Sequence, residues 1–353
     1  MGGASAKPAV PTLDPDTHSL DHKPTGTLVY HNNYEGTGDN RIKVPHDLSA
    51  SRVFEKQTFW GLDIPYEDIE MHNGIGAGNY GKVYEAHYKG KHVAMKKIFL
   101  PFNPEEKQEI LEDFEKEIKI LSVLKHEYIV SFYGAVRSEP NYCLLFELCE
   151  GSVGSLLDTV NKNKVNVTWK ICFKIAREAA TACDYLHSLT PKILHRDLKA
   201  ENLLLDKKFT CKLTDFGLSR NYVGGNSSAM TVCGTPCWVA PEIFRGEDYT
   251  EAVDVYSFAI VLWELFCFQK PYPTVDAIEL PYLVAKKDLR PAMLHHVPPQ
   301  LDGLMEQCWH PDFKQRPAFD KIIKEIQAME EKFESFLNSV VDPSETEPPK
   351  GSK

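Results

Sequence analysis

The stretch ILHRDLKAENLLL, residues 193–205, concentrates titratable and polar side chains between two apolar runs. Four charged residues, one histidine and one amide make up the set: His195, Arg196, Asp197, Lys199, Glu201 and Asn202. A solvated loop needs no Ile-Leu before it and no Leu-Leu-Leu after it, so both ends are expected to be anchored in a core. A loop that fixes a carboxylate, an ammonium and an amide oxygen suits phosphoryl transfer, because it can orient a hydroxyl, neutralise the moving phosphate and hold a metal.

A second isolated carboxylate follows this loop at the end of another apolar segment. Asp215 stands in Leu213-Thr214-Asp215-Phe216-Gly217. Carboxylate and amide oxygens are hard ligands of the kind that Mg²⁺ prefers. Asp215 and Asn202 are therefore predicted to be its ligands.

Upstream, the segment GIGAGNYGKVYE at 74–85 spells G-x-G-x-x-G with Gly76, Gly78 and Gly81. Two nucleotide-binding folds use this spelling, one for dinucleotides and one for the phosphates of ATP, and a glycine-rich surface turn is a third interpretation. Dinucleotide binding needs a helix after the loop, because the helix N-terminus binds the pyrophosphate. The residues that follow, 83–88, are typical of a strand. The pattern therefore favours ATP and disfavours a nicotinamide-dependent oxidoreductase.

The next predicted strand, 92–98, carries a lysine pair whose members point to opposite faces. Ala94 and Lys96 share one face, where a small side chain leaves room for a flat base and the ammonium can reach phosphates. The alternative is an ordinary solvated pair on an edge strand. Glu117 lies among apolar positions of the predicted helix that begins near Asn103, where an unpaired carboxylate is costly. Lys96 and Glu117 are therefore expected to pair.

Together these motifs resemble a eukaryotic protein kinase from about Tyr66 to Phe333. The segments that carry the resemblance are GAGNYGKV, VAMK, HRDLKAEN, DFG and Ala-Pro-Glu at 240–242. The resemblance implies an α+β, two-lobed fold with a β-rich N-lobe containing one regulatory helix and a mainly helical C-lobe. The implied organisation is an extended or disordered arm at 1–65, the N-lobe at 66–149, the C-lobe at 150–335 and a polar tail at 336–353. Finer features, such as Asp-Val-Tyr-Ser-Phe-Ala at 254–259, are similar to the tyrosine-kinase-like group that includes Raf and mixed-lineage kinases.

The resemblance also implies residue roles. Asp197 is the expected acceptor of the substrate proton, Lys199 steadies the γ-phosphate, and Lys96, held by Glu117, pairs with the α- and β-phosphates of ATP. Asn202 and Asp215 are the implied Mg²⁺ ligands. The implied nucleotide-binding residues of the loop, the roof and the hinge are Ile75, Gly76, Ala77, Gly78, Asn79, Gly81, Val83, Ala94, Lys96, Glu147 and Cys149.

Phe146 falls at the gatekeeper position, and the implied spine comprises Leu121, Phe132, His195 and Phe216. Glu242 with Arg316, and Asp254 below the catalytic loop, are implied to be scaffold.

Substrate class and regulation follow from the same resemblance. Lys199 in HRDLKAEN, together with Thr235 before Trp238, resembles serine/threonine kinases, in which these two side chains are implied to bracket Asp197 for a short substrate side chain. Arg196 beside the catalytic aspartate is typical of kinases activated by phosphorylation, with Thr231, Ser227 and Ser228 as the expected sites and an upstream kinase or the protein itself as the donor. Related kinases often form homodimers through the N-lobe. The alternative function is a kinase-fold signalling scaffold with negligible turnover; it is disfavoured because the lysine, the base and both metal ligands are present.

The composition is that of an ordinary globular protein. The chain has 353 residues, 42% hydrophobic and 25% charged, and a net charge of −10, which argues against nucleic acid as a main partner. Nine cysteines without a C-x-x-C pair, and no recognisable cleaved signal, predict a reducing, cytoplasmic location. The most apolar stretch, 257–268, is too short to cross a bilayer and contains Glu264. Residues 1–6, MGGASA, approach an acylation signal but carry Ala6 where Ser or Thr is expected.

Overall fold

The first part of the described chain is an antiparallel sheet, and the rest is mainly helical. The computed structural model describes residues 63–78, 81–162, 167–217, 220–222, 235–293, 297 and 299–341. Five strands pair in the order β1-β2-β3-β5-β4: β1 Ile69–Gly78, β2 Gly81–Tyr88, β3 Lys91–Ile98, β4 Phe132–Ser138 and β5 Asn141–Glu147. All neighbours in this sheet are antiparallel. This sheet and the helix packed on it form the predicted N-lobe.

One long helix, α1 Pro104–Val123, crosses between β3 and β4. It begins where the sequence predicts, because the Asn103 side chain accepts hydrogen bonds from the backbone N–H groups of Glu105 and Glu106 and a proline follows the cap. Its buried face carries Phe114, Glu117, Ile118, Ile120 and Leu121. A carboxylate is thus buried among apolar side chains, as the pattern indicated.

After β5 the chain is helical, with short strands between the helices. The helices are α2 Val153–Asn161, α3 Trp169–Ser188, α4 Pro241–Arg245, α5 Ala252–Cys267, α6 Leu280–Lys287, α7 Pro299–Cys308 and α8 Phe319–Val341. The short strands are β6 Gly151–Ser152, β7 Lys192–Leu194, β8 Leu203–Leu205, β9 Cys211–Leu213 and β10 Arg220–Tyr222. They form two small antiparallel sheets, β6-β8-β9 and β10-β7. The first of these sheets flanks the stretch 193–205 and holds its C-terminal end.

Two hydrophobic clusters lie on opposite faces of the five-stranded sheet. The larger runs from Ile98, Phe114 and Leu144 into the helical part, where almost every residue of α5 is buried. The smaller, centred on Val93 and Met95, covers the other face. A backbone crossing ties the two parts together: the Leu213 carbonyl accepts from the N–H of Val130 at 2.9 Å, and the N–H of Leu213 donates to the carbonyl of Tyr128 at 2.9 Å.

The predicted ion pair between Glu242 and Arg316 braces the helical part. The Arg316 guanidinium donates to both Glu242 carboxylate oxygens, at 2.6 and 2.8 Å, and both side chains are wholly buried. Arg316 also donates to the carbonyls of His310 and Ala252, each at 2.9 Å. A buried ion pair of this kind is tolerated only because hydrogen bonds satisfy the charges on both sides.

Several elements differ from the sequence expectation. The helices α2 and α6 were not predicted. The sequence placed the end of the C-lobe near residue 335, but the last helix, α8, continues to Val341. Ile64, placed in the arm by the sequence, is buried and its N–H donates to the Ala135 carbonyl at 2.8 Å. Residues 1–62 of the predicted arm lie outside the described residues. Among the described residues, no helix combines the length and apolar character needed to span a membrane.

Candidate active site

Lys96 on β3 links three separate elements of the fold. Its Nζ donates to Glu117 Oε1 of α1 at 3.0 Å and to Asp215 Oδ1, after β9, at 3.0 Å. Lys97 points to the other face, where its Nζ donates to Asn141 Oδ1 at 2.8 Å and to the Tyr66 hydroxyl at 3.3 Å. The predicted strand alternation is therefore observed, and Lys96 is the lysine that faces the cleft. An ammonium has three N–H donors, so one remains for an anion such as a phosphate.

The charges in this group stabilise one another. Burial alone would lower the pKa of Lys96, but the carboxylates of Glu117 and Asp215 outweigh it and raise that pKa well above its usual value. Burial likewise favours a higher pKa for Asp215, yet the Lys96 charge and hydrogen bond hold it below its usual value. The pKa of Glu117 is raised by burial, which Lys96 offsets only in part. Lys96 therefore remains protonated and Asp215 ionised at neutral pH.

Asp197 is held in place by side chains from three directions. Lys199 Nζ donates to Asp197 Oδ2 at 2.7 Å, and Asn202 Nδ2 donates to the same oxygen at 2.9 Å. The N–H and the hydroxyl of Thr235 both donate to Asp197 Oδ1 at 3.2 Å. Lys199 Nζ also donates to the Thr235 hydroxyl at 2.8 Å. The carboxylate is thus bracketed by Lys199 and Thr235, as the sequence analysis predicted.

The residues predicted to bind a metal fit that role. The amide nitrogen of Asn202 donates hydrogen bonds to Asp197, which leaves the amide oxygen of Asn202 available as a metal ligand. Asp215 accepts a hydrogen bond from Lys96 at Oδ1, and its second carboxylate oxygen is the proposed metal ligand. The N–H of Thr214 donates to the Asn202 carbonyl at 3.0 Å, which brings the two segments side by side. Two hard oxygen donors on adjacent backbone segments suit Mg²⁺, which takes few protein ligands and completes its shell with phosphate and water.

The loop that carries Asp197 is anchored by hydrogen bonds to Asp254 at the start of α5. Asp254 Oδ2 accepts from the N–H of His195 at 2.9 Å and Oδ1 accepts from the N–H of Arg196 at 2.8 Å. Oδ2 also lies 2.8 Å from His187 Nε2. Burial would raise the pKa of Asp254, but the hydrogen bond and charge of His187 hold it below its usual value. Arg196 adopts φ +68°, so this anchor holds a backbone conformation that side-chain-bearing residues rarely adopt.

Two of the implied spine residues, His195 and Phe216, are in ring contact, and a third, Phe132, packs against the predicted gatekeeper Phe146. The rings of Phe132 and Phe146 lie 5.6 Å apart between centroids, and those of His195 and Phe216 lie 5.2 Å apart in an edge-to-face arrangement. His195 Nε2 lies 2.9 Å from the Thr214 carbonyl, which requires an N–H at that nitrogen. These contacts connect the catalytic loop to the segment that carries Asp215.

The glycine-rich segment is the hairpin between β1 and β2. Gly78 pairs with Gly81 and Gly76 with Val83, while Asn79 lies outside the described residues. A Cβ on Gly81 would lie 2.1 Å from the carbonyl oxygen of Lys97, so this glycine is required by the close approach of β3. The sequence assigned all three glycines to phosphate binding, and this packing requirement was missed. Ile75 and Ala77, which the sequence predicts to contact the nucleotide, are exposed on β1.

The hinge follows β5. Phe146 is 8% exposed and pairs with Ala94 of β3, which leaves the predicted gatekeeper beside the predicted roof of the adenine pocket. Glu147 is fixed by Ser131, whose N–H donates to its carboxylate at 2.6 Å. Burial raises the pKa of the Cys149 thiol to about 12, so this hinge cysteine stays neutral.

One residue next to the site was missed. Glu264 of α5 is buried and accepts a hydrogen bond from Trp238 Nε1 at 2.8 Å, and it also receives the backbone N–H of Ala200. It therefore joins the catalytic loop to the segment that carries Thr235. The available signal was a glutamate inside an apolar helix, which needs a polar partner.

The residues predicted as regulatory phosphorylation sites, Thr231, Ser227 and Ser228, lie outside the described residues.

The same chain is similar to known proteins over most of its length. The family described as "Protein tyrosine and serine/threonine kinase" matches residues 69–326. In Dictyostelium discoideum, the protein named stress-activated protein kinase alpha is 36% identical over 77% of this chain and 43% of its own length. The protein named probable serine/threonine-protein kinase drkB, from the same organism, is 36% identical over 81% of this chain and 40% of its own length. This chain thus spans less than half the length of these curated relatives.

Proposed function

Because the chain belongs to the protein tyrosine and serine/threonine kinase family, we propose that it transfers the γ-phosphate of ATP to serine or threonine hydroxyls of protein substrates. The observation that carries this proposal is the Asp197 carboxylate held between Lys199 and Thr235. A serine or threonine hydroxyl is short, so the base and the cation must lie close together to reach it and the phosphate at once. The 2.7 Å contact between Lys199 and Asp197 meets that requirement.

Each residue has a distinct role in this proposal. Asp197 orients the substrate hydroxyl and accepts its proton, and Lys199 neutralises the charge on the phosphoryl group as it moves. Lys96, fixed by Glu117, binds the α- and β-phosphates with the N–H that the two carboxylates leave unused. Because these groups are held by hydrogen bonds before any substrate binds, little reorganisation is needed at the moment of transfer.

The nucleotide and its metal would be held by residues of both lobes. Asn202 and Asp215 would bind Mg²⁺ through the oxygens described above, and Mg²⁺ when bound supplies charge neutralisation between the β- and γ-phosphates. Val83 and Ala94 would cover the adenine ring, and the backbone at Glu147 and Cys149 would meet its edge. Ile75, Gly76, Ala77, Gly78, Asn79 and Gly81 would cover the phosphates.

Regulation by phosphorylation is a further part of the proposal. Arg196 is 7% exposed, adjoins Asp197, and its guanidinium lies 5.7 Å from the centre of the Tyr249 ring. A phosphate on Thr231, Ser227 or Ser228 would pair with this cation and so link the segment before Thr235 to the loop that carries Asp197. The donor would be an upstream kinase or a second molecule of the same protein.

The test is γ-phosphate transfer from Mg·ATP to a generic basic protein, with phosphorylated residues identified by mass spectrometry. Wild type is compared with Asp197→Asn, and Asp276→Asn on an exposed turn serves as the matched control. Transfer to serine or threonine that is lost in Asp197→Asn but kept in Asp276→Asn supports the proposal. Transfer to tyrosine alone contradicts the substrate class. Absence of transfer, even after treatment with an activating kinase, contradicts the activity and favours a signalling scaffold.

A further inference from the structure

Three histidines and two glutamates gather at one end of the five-stranded sheet. Glu70 and His72 lie on β1, Glu85 and His87 on β2, and His92 at the start of β3. The strand pairing sets Glu70 opposite His87 and His87 opposite His92, so these residues form a row across three strands. His72 lies at the register shift that follows Met71, where the strand is irregular. Bulges of this kind often redirect a side chain toward a site.

The ligating atoms of three of these residues converge. A carboxylate oxygen of Glu70, Nε2 of His72 and Nδ1 of His87 all lie within 4.8 Å of one another. His72 Nε2 and His87 Nδ1 are 2.7 Å apart, and His72 Nε2 is 3.9 Å from Glu70 Oε1. Ligand atoms around a tetrahedral Zn²⁺ lie about 3.3 Å apart, given bonds of about 2.0–2.1 Å. To reach this spacing, the 2.7 and 3.9 Å distances would each change by about 0.6 Å, and the distance from Glu70 to His87, which is at most 4.8 Å, would shorten by up to about 1.5 Å.

The remaining two residues support the arrangement. The His92 ring packs edge-on against the His87 ring with 3.9 Å between centroids, and His92 Nδ1 lies 3.2 Å from Glu85 Oε1. Glu85 thus holds His92, and the His92 ring in turn packs against the proposed ligand His87. Glu70 and Glu85 also bring two negative charges to the group, which would balance a divalent cation.

We propose that Glu70, His72 and His87 form a binding site for a divalent transition metal, with Zn²⁺ as the best-matched ion. Two imidazoles and one carboxylate suit Zn²⁺ and related ions, whereas Mg²⁺ prefers oxygen ligands in an octahedral shell. Three protein ligands leave a fourth position for water or a partner side chain. His87 and Gly81 are six residues apart on one strand, so the site lies about 20 Å from the glycine-rich turn. It is therefore separate from the proposed nucleotide and Mg²⁺ sites.

The site can be tested with the full chain and metal ions alone. Zn²⁺ binding is measured by calorimetry, and Co²⁺ is used as a spectroscopic substitute because a tetrahedral site gives strong visible absorption bands. His72→Gln and His87→Ala should each weaken Zn²⁺ binding at least about tenfold, since even the loss of a residue that orients a ligand costs about 10–100-fold. His92→Ala should weaken it less than either. His310→Ala is the matched control, because the hydrogen-bond contacts of its imidazole with described residues are to the Asp312 backbone, and the change should leave binding unchanged.

The outcomes separate clearly. Loss of one Zn²⁺ equivalent and of the tetrahedral Co²⁺ bands in both ligand variants, with the metal-free unfolding midpoints unchanged, supports the site. Equal binding by wild type and the His72→Gln variant overturns it, and would place any bound metal at other histidines of the chain. Because His72 is exposed, His72→Gln remains informative even if His87→Ala fails to fold. Binding of Mg²⁺ in place of Zn²⁺ would also contradict the proposal.

Discussion

Replacing Asp254 by Asn tests whether the anchor below the catalytic loop controls catalysis. The wild-type carboxylate accepts three hydrogen bonds, from the N–H groups of His195 and Arg196 and from His187. An Asn side chain has one oxygen and one NH₂ group. In its better orientation the oxygen keeps the bonds to His195 and His187, and the NH₂ then faces the N–H of Arg196. A buried donor would lie against a second donor.

The magnitude follows from that one lost contact. A hydrogen bond to a charged group contributes about 1.5–3 kcal/mol, and an unsatisfied buried donor costs about 1–3 kcal/mol. Together these two effects should lower the free energy of unfolding of Asp254→Asn by about 2.5–6 kcal/mol. Arg196 would also lose the bond that holds its positive φ, and Asp197 follows it directly in the chain. A misplacement of about 1 Å can cost about 100-fold in rate, so kcat should fall between about 10- and 100-fold.

The assay combines urea unfolding with steady-state kinetics on the folded fraction. The KM for ATP should change less than kcat, because the proposed phosphate contact of Lys96, held by Glu117, lies in the other lobe. Asp276→Asn is the matched control, since that carboxylate accepts the N–H of Ile278 at 2.7 Å in an exposed turn and Asn can make the same contact. Wild-type stability together with wild-type kcat in Asp254→Asn would refute the reasoning. A loss of stability with an unchanged kcat would show that the anchor braces the fold without positioning the base.

Four further changes test other parts of the structure. Lys96→Met should lower phosphoryl transfer at least about 100-fold in a Mg·ATP assay, because the cation between two carboxylates is lost; activity within tenfold of wild type would contradict this. Arg316→Ala should lower the free energy of unfolding in urea by about 3–5 kcal/mol. The double variant with Glu242→Gln should lose less than the sum of the two single variants, and additive losses would contradict the coupling. Burial raises the pKa of Glu264 to about 8, so its protonated form stabilises the fold and that stabilisation is lost as the pH rises from about 4.5 to about 8. Glu264→Gln should therefore gain stability relative to wild type between about pH 6 and 8, by up to about 1.4 kcal/mol per pH unit, and a constant difference would contradict the shift. Gly81→Ala should destabilise by about 1–3 kcal/mol, because its Cβ has no room against β3; a neutral effect in urea unfolding would show that β3 can move aside.

Local rules were enough to predict the contacts that depend on burial and alternation. The pairing of Lys96 with Glu117 followed from the cost of a buried carboxylate and from the two-residue period of a strand. The start of α1 followed from the capping preference of Asn103. The bracketing of Asp197 by Lys199 and Thr235 came instead from the resemblance, since no local pattern joins residues 36 positions apart.

Contacts that depend on tertiary packing were not predictable in this way. Asp215 reaches Lys96 across 119 positions of the chain, and only the fold brings them together. The packing need at Gly81 also depends on the neighbouring strand. In contrast, one missed helix and one misplaced helix end had local signals. The α2 helix starts at a capping box between Ser152 and Ser155, and α8 ends shortly before Pro343, which cannot continue a helix.

The backbone crossing at Tyr128–Val130 determines what happens when the chain is cut between the lobes. These residues precede β4 in the chain, yet both N–H and carbonyl groups of Leu213 pair with them. A cut at the hinge near 147–151 would leave β9 without this partner and would split the larger hydrophobic cluster between two fragments. The strand that leads to Asp215 would then be completed only by the other fragment. The lobes are therefore suited to complementation as co-expressed halves and unsuited to use as separate modules.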